Sequence, residues 1–365
     1  MPNICFLLGG FQGNGGIGRV TSILANELVE IDGVNVTTVS YCQKNQPMLY
    51  ELSEKINSRF LYSDSVSMTK AIIKHHAIKK FTQILKHDKI DVVIACGALF
   101  YPLAIFAAKK CGIKCFCWEH ISPSVKADYK FQGIARKIAV QFADKVIVLT
   151  KSAEKYYLEN LKTKKEKLTQ LYNPVSTEAA KSKEYNSNSK KIISVGRLSY
   201  QKNFSLLIDV AADVLPKYPE WSWDIYGRGE EYTELQEKIK INGLEGRVNL
   251  MGQVNNLYER YGDYAFQVMT SRYEGFPMSL IEGASNRLPL ISFDIATGPN
   301  EIIEGGINGF LVEAENVEMM KEKVEKLIND LELREKMSAE SFKLNERFSL
   351  GVIIERWCKI CQISN

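Results

Sequence analysis

No Asp-x-Asp occurs anywhere in the chain, so the carboxylate pair that would hold a divalent cation against a nucleotide diphosphate is missing. Cys5, Cys42, Cys96, Cys111, Cys115, Cys117, Cys358 and Cys361 are scattered, most of them in apolar runs, which excludes the dense disulfide scaffold of a short secreted domain. Cys115-x-Cys117 with Cys358-x-x-Cys361 has poor spacing for zinc, so reduced, cytosolic thiols and no metal are expected. The N-terminus lacks a cationic start, and its apolar run is too short for a signal peptide. An uncharged stretch of 17 residues at 92–108 is divided by Gly97 and Pro102 into a strand and a helix, so no membrane-spanning segment is expected.

At 365 residues the chain is long for a single core, and two domains are the natural expectation. A hydrophobic content of 45% with 25% charge suits a soluble globular protein. The net charge of +4 hides an asymmetry: residues 1–175 hold 24 Lys/Arg and 14 Asp/Glu, a balance of +10, which leaves −6 for the rest. A basic N-terminal half calls for an anionic partner, such as a phospholipid surface or a diphosphate-linked acceptor, although ordinary solvated surface would look the same.

The most informative stretch is Glu274-Gly-Phe-Pro-Met-Ser-Leu-Ile-Glu282. Pro277 suits the first turn of a helix, where its missing N–H costs nothing, so a helix should begin near it. Glu274 then lies on the preceding loop and Glu282 about one and a half turns inside, with free backbone N–H groups and the positive end of the helix dipole between them. An anion site flanked by carboxylates fits a ligand with phosphates in the middle and hydroxyls at both ends, as in a nucleotide sugar. Two Glu alone would also fit an acidic loop and a solvated helix face. Arg197 and Lys202, five apart across a strand end and a helix start, can converge on the same phosphates and remove the need for a metal.

Along the chain, Ile4 to Leu8 reads as a buried parallel strand, followed by a glycine-rich loop from Gly9 to Gly18 and an amphipathic helix from about Arg19 to Ile31. Gly13, Gly15 and Gly18 satisfy Gly-x-Gly-x-x-Gly, yet Val36 to Gln43, the second strand, ends without the acidic residue a dinucleotide site needs. Strands at Val92–Cys96, Ile113–Trp118 and Lys145–Leu149 alternate with helices, as in a doubly wound sheet. His120 directly follows the middle one, at the edge where open α/β sheets bind ligands. Residues 66–87 form a basic amphipathic stretch, suited to packing on its own domain or to an anionic membrane. The boundaries expected are 1–175 for the first domain, with a C-terminal helix at 348–365, a polar linker at 176–190, and 191–347 for the second. Strands of the second domain read at Lys191–Val195, Trp223–Tyr226, Val248–Leu250, Phe266–Met269 and Leu290–Phe293.

Glu274 and Glu282 with seven residues between them, preceded by Val195-Gly196-Arg197-Leu198 and Lys202-Asn203 and by the glycine-rich N-terminal loop, resemble the motifs of retaining glycosyltransferases of family 4, over nearly the whole chain. The resemblance implies the α/β GT-B fold: two Rossmann-like domains with parallel sheets facing a central cleft, and a last helix crossing back to the first domain. It implies catalytic roles for Glu274, His120, Arg197 and Lys202, with His120 and Glu274 on the transferred sugar and Glu282 on the ribose. Donor binding would involve Gly15, Gly16, Gly18, Gly196, Gly227, Gln253, Val254, Gly275, Phe276, Pro277, Met278, Ser279 and Leu280 together with Arg197, Lys202 and Glu282. Thr297-Gly298-Pro299-Asn300 resembles a further loop near the donor, as in enzymes of bacterial surface glycans. The expected activity is metal-independent transfer, with retention, of a hexose or N-acetylhexosamine from a UDP-sugar to a lipid-linked or growing glycan, as in capsule or O-antigen assembly. No cofactor and no nucleic acid are expected, and the expected setting is cytoplasmic, with peripheral contact to the inner face of the membrane as an option. A UDP-sugar epimerase would instead make epimer from donor alone. An idle sugar-nucleotide-binding subunit would bind UDP without transfer.

Overall fold

The structure is a computed structural model in which residues 2–11, 16–42, 50–63, 75–124, 130–175, 184–254 and 257–363 are described. The chain forms two compact units, Met1–Pro174 with Leu350–Asn365, and Val175–Ser349.

In the first unit the elements run β1 (Asn3–Leu8), α1 (Gly16–Leu28), β2 (Asn35–Cys42), β3 (Asn57–Tyr62), α2 (His75–His87), β4 (Val92–Cys96), α3 (Tyr101–Cys111), β5 (Lys114–Trp118), α4 (Lys130–Phe142), β6 (Lys145–Val148), α5 (Lys151–Glu159) and β7 (Leu168–Gln170). The seven strands are parallel in the order β3-β2-β1-β4-β5-β6-β7. Central strands are covered on both faces, which is why β1 and β4 read as unbroken apolar runs. Along β5, Cys115 and Cys117 join the core under α2 to α5, while Phe116 and Trp118 point the other way. Gly112, at φ 69, ends α3 with its N–H on the carbonyls of Ala108 and Lys109, and the Thr150 hydroxyl caps α5 by accepting from the Ala153 N–H at 3.0 Å.

The second unit runs β8 (Lys191–Val195), α6 (Phe204–Val214), β9 (Ser222–Tyr226), α7 (Tyr232–Ile241), β10 (Val248–Gly252), α8 (Tyr258–Tyr261), β11 (Phe266–Met269), α9 (Met278–Ser285), β12 (Leu290–Asp294), β13 (Gly309–Glu313), α10 (Val317–Asn329) and α11 (Leu331–Leu344). Its six parallel strands are ordered β10-β9-β8-β11-β12-β13, the doubly wound arrangement of a dinucleotide fold. The last helix, α12 (Leu350–Cys361), belongs to the first unit: Trp357 meets Trp118 edge-on at 4.9 Å, and the Arg356 guanidinium donates to the Gln170 carbonyl at 2.6 Å. The chain thus has the two Rossmann-like parallel-sheet domains expected, with the last helix returned to the first.

One local expectation changes, and several others lie outside the described residues. Helix α1 starts at Gly16, so Gly16 and Gly18 lie in its first turn and not in the loop; a Cβ on Gly18 would stand 3.3 Å from the Gly10 carbonyl, and the bare backbone allows that approach. Gly15 lies outside the described residues, as do residues 66–74 of the basic stretch and 176–183 of the expected linker. The described remainder of that linker is fastened to the second unit, with the Tyr185 hydroxyl donating to the Ala265 carbonyl at 2.7 Å and the Ser189 hydroxyl to Asp263 at 2.6 Å. Its polar composition serves those hydrogen bonds.

Candidate active site

In the second unit the strand order reverses between β8 and β11, the position at which open α/β sheets bind ligands. The Ser194 hydroxyl ties the strands at this point, donating to the Val268 carbonyl at 2.6 Å while accepting from the Trp223 indole at 3.0 Å. The loop after β8 carries Gly196, Arg197 and Lys202, and the loop after β11 carries Glu274 and leads into α9. They are stitched together. The Thr270 hydroxyl lies 3.0 and 3.1 Å from the carbonyls of Lys202 and Asn203, the Arg272 N–H donates to Gln201 at 2.8 Å, and the Gln201 amide donates to the Tyr273 carbonyl at 2.9 Å. Asn203 adopts φ 55, a left-handed conformation that Asn tolerates, at the turn into α6.

The Lys202 ammonium lies 2.6 Å from one Glu274 carboxylate oxygen, the two side chains being 15% and 8% exposed, and the Gln201 amide reaches the other oxygen at 3.4 Å. Lys202 is therefore engaged by Glu274 here. Arg197 is exposed; its carbonyl accepts from the Ser199 hydroxyl at 3.4 Å, and its guanidinium has no hydrogen-bond or ion-pair partner among the described residues. Glu282 is 1% exposed and accepts from the Tyr261 hydroxyl at 3.3 Å.

Helix α9 is capped by Pro277 in an extended conformation, with no side chain satisfying its first N–H groups, and the buried Ser279 hydroxyl has no partner among the described residues. Neighbouring loops brace this end. The Thr297 hydroxyl bonds the Glu274 carbonyl, and Gly298, at φ 105, lies where a Cβ would come within 2.4 Å of the Pro277 ring. Gly227, after β9, packs so closely that a Cβ would be 1.8 Å from the Gly196 carbonyl, and one on Gly229 would be 2.0 Å from that of Leu198. Gln253 and Val254 follow β10 and are half-buried, and the Gly252 carbonyl accepts from the Gly227 N–H at 2.9 Å. Gly275 and Phe276 are on the Glu274 loop, and Met278 and Leu280 are in the first turn of α9.

The structure thus brings Lys202, Glu274 and the start of α9 together, with the Gly196–Gly227 contact beside them. The Gln201, Thr270, Thr297 and Tyr261 contacts were not read from the sequence, because each depends on which loops the sheet order makes neighbours.

In the first unit the reversal falls between β1 and β4. Gly97, at φ 97, follows β4, and a Cβ there would lie 3.5 Å from the Ile17 side chain of α1. His120 follows β5, with its ring 4.2 Å from that of Trp118 and its Nε2 out of contact with solvent and without a partner among the described residues. Burial pulls the imidazole down to about 3, so it is neutral at working pH. Among the described residues no group of three or more His, Cys, Asp or Glu is placed to hold a metal ion.

Two family models match consecutive parts of the chain: "Glycosyltransferase Family 4" over residues 14–179 and "Glycosyl transferases group 1" over 175–344. An uncharacterized glycosyltransferase of Haemophilus influenzae is 29% identical over 98% of this chain and 99% of its own length. The amylovoran biosynthesis glycosyltransferase AmsD of Erwinia amylovora is 28% identical with the same coverage. Among solved structures, TarM of S. aureus, in complex with fondaparinux, alpha-GlcNAc-glycerol and UDP, superposes with a TM-score of 0.83 at 17% identity, covering 99% of each chain.

Proposed function

The chain is a glycosyltransferase of the GT-B fold, and from that premise we propose that it moves a hexose or N-acetylhexosamine from a UDP-sugar to a lipid-linked or growing glycan, with retention at the anomeric carbon and without a metal. The observation that carries the reading is the open N-terminus of α9 at the β8/β11 reversal, beside Lys202 and between the buried carboxylates of Glu274 and Glu282. Leaving-group charge would fall on Arg197, Lys202, the Ser279 hydroxyl and the N–H groups of Gly275, Met278 and Ser279, fixed dipoles that need little reorganisation. Glu282 accepts from the ribose hydroxyls and Glu274 from the donor sugar. Gly196, Gly227, Gln253 and Val254 line the nucleotide. From the first unit, Gly16 and Gly18 serve the phosphates and His120 the transferred sugar, as a neutral hydrogen-bonding group. The acceptor hydroxyl attacks the anomeric carbon on the face that the diphosphate leaves. The carbon–oxygen bond to the phosphate breaks with its electron pair on that oxygen, which takes the acceptor's proton.

An anionic membrane surface fits the first unit's helical layer. Helices α2, α3 and α4 contain no Asp or Glu, and they present Lys79, Lys86, Lys109, Lys110 and Lys137 to solvent. Phe106, Ile134 and Phe142 are exposed among these cations, and the Lys109 ammonium lies 3.9 Å over the Phe142 ring. Cations and apolar side chains on one face suit binding to the cytoplasmic leaflet, where a lipid-linked acceptor would lie. Among the described residues no helix is long and apolar enough to cross a membrane.

Steady-state kinetics on the donor-site variants test the reading. Glu282→Ala should raise the donor KM with kcat retained, whereas Arg197→Ala should lower kcat as well, because it acts on charge that develops during bond breaking. Wild-type parameters in both variants would place the donor elsewhere.

A further inference from the structure

We propose that the buried Glu119–Arg136–Tyr157 cluster is a positioning device for His120; the inference rests on His120 acting on the transferred sugar. Glu119 is 2% exposed and its carboxylate is crowded with donors: Arg136 Nε at 2.6 Å, Arg136 Nη2 at 3.3 Å, the Tyr157 hydroxyl at 2.8 Å and the Ile121 N–H at 3.3 Å. Burial opposes the Arg136 charge, but Glu119 beside it holds the guanidinium above its ordinary pKa. Burial, and then the Glu119 charge, push the Tyr157 phenol well up, so its proton stays on to be donated.

Stability alone is a poor explanation for such a cluster. A buried ion pair costs so much desolvation that apolar residues of similar volume often do as well or better, whereas a fixed geometry is something apolar packing does not specify as sharply. That geometry bears on His120. In the extended run Trp118-Glu119-His120 consecutive side chains point to opposite faces. Glu119 continues the Cys115 and Cys117 side, where Arg136 on α4 and Tyr157 on α5 hold it, so His120 falls on the other face with Trp118. The segment is also pinned on both sides of His120. The Glu119 N–H donates to the Ile147 carbonyl at 2.8 Å, and the Ile121 N–H donates to the Glu119 carboxylate. A neutral imidazole aimed by its backbone needs that backbone fixed, and four donors on one neighbouring carboxylate fix it.

The test is a double-mutant cycle on the full-length protein, using Tyr157→Phe, which removes one hydroxyl and leaves the ion pair, and His120→Ala. Transfer rates, UDP affinity and melting temperature are read for wild type, both singles and the double. Tyr157→Phe should lower kcat about fivefold, the worth of one hydrogen bond, and leave the Kd for UDP unchanged. In the His120→Ala background the same substitution should have no further effect on kcat. Glu119→Gln, if it folds, should follow the same pattern with a larger loss. A fivefold loss that persists without His120, or no loss in the wild-type background, overturns the positioning role. If His120→Ala itself transfers at the wild-type rate, His120 has no part in the reaction and the inference falls with it, while UDP binding by the second unit would still stand.

Discussion

Replacing Lys202 by Met tests the donor site through two readouts that should separate. In the folded protein its ammonium is 2.6 Å from the Glu274 carboxylate, with 15% and 8% of the two side chains exposed. Removing one partner of a fully buried pair costs about 3–5 kcal/mol, because the other charge is stranded. Here the residual exposure and the Gln201 amide at 3.4 Å bring the expected loss down to about 2 kcal/mol. At an m-value of about 2 kcal/mol/M, that lowers the urea midpoint of the second unit by roughly 1 M. UDP affinity should fall about 10- to 100-fold, since a charge-assisted contact to phosphate is lost. Glu274→Gln in the same chain should return most of the stability by removing the stranded charge, and it should leave UDP binding weak, because UDP carries no donor sugar for Glu274 to hold. Urea unfolding and calorimetric titration with UDP measure both. A double variant that binds UDP like wild type would refute the phosphate role of Lys202, and an unshifted midpoint in Lys202→Met would refute the energetic reading of the pair.

Other outcomes follow from particular contacts. Gly227→Ala must move backbone, since its Cβ would lie 1.8 Å from the Gly196 carbonyl at φ 147, so it should weaken UDP binding at least tenfold and lower the melting temperature. Because burial holds His120 near 3 against an ordinary 6.5, its neutral form stabilises the fold fully above about pH 6.5, and that contribution is lost as pH falls toward 3. Between pH 7 and 5 the wild type should therefore lose up to about 1 kcal/mol more stability than His120→Asn, by urea unfolding. In the transfer assay, kcat should show no inflection from His120 between pH 5 and 8. Lys109→Glu combined with Phe142→Ser should abolish sedimentation with vesicles rich in phosphatidylglycerol and leave UDP affinity unchanged, and wild type should not sediment with purely zwitterionic vesicles.

Much of the second unit was legible because parallel strands buried on both faces leave short apolar runs: Lys191–Val195 and Phe266–Met269 were read with their observed bounds. The strands missed have weak patterns for physical reasons. β3 is an edge strand with half-buried polar positions, β7 has three residues, and β13 closes the other edge of its sheet. Glycines could be noted in the sequence but not explained, since the reason for Gly227 or Gly298 is an atom on another loop. The engagement of Lys202 by Glu274, and of Glu119 by Arg136 and Tyr157, joins residues 72, 17 and 38 positions apart. Periodicity carries no signal at those separations, so the electrostatics of the candidate site emerged only with the sheet order.

Metal-free handling of a nucleotide sugar at the β8/β11 reversal is best tested by a turnover screen of UDP and GDP sugars in excess EDTA with no acceptor, following released nucleotide and epimer. Such handling predicts slow, EDTA-resistant hydrolysis of one UDP-sugar, lost in Arg197→Ala. Hydrolysis abolished by EDTA, release of GDP instead, or epimer formed from donor alone would contradict it.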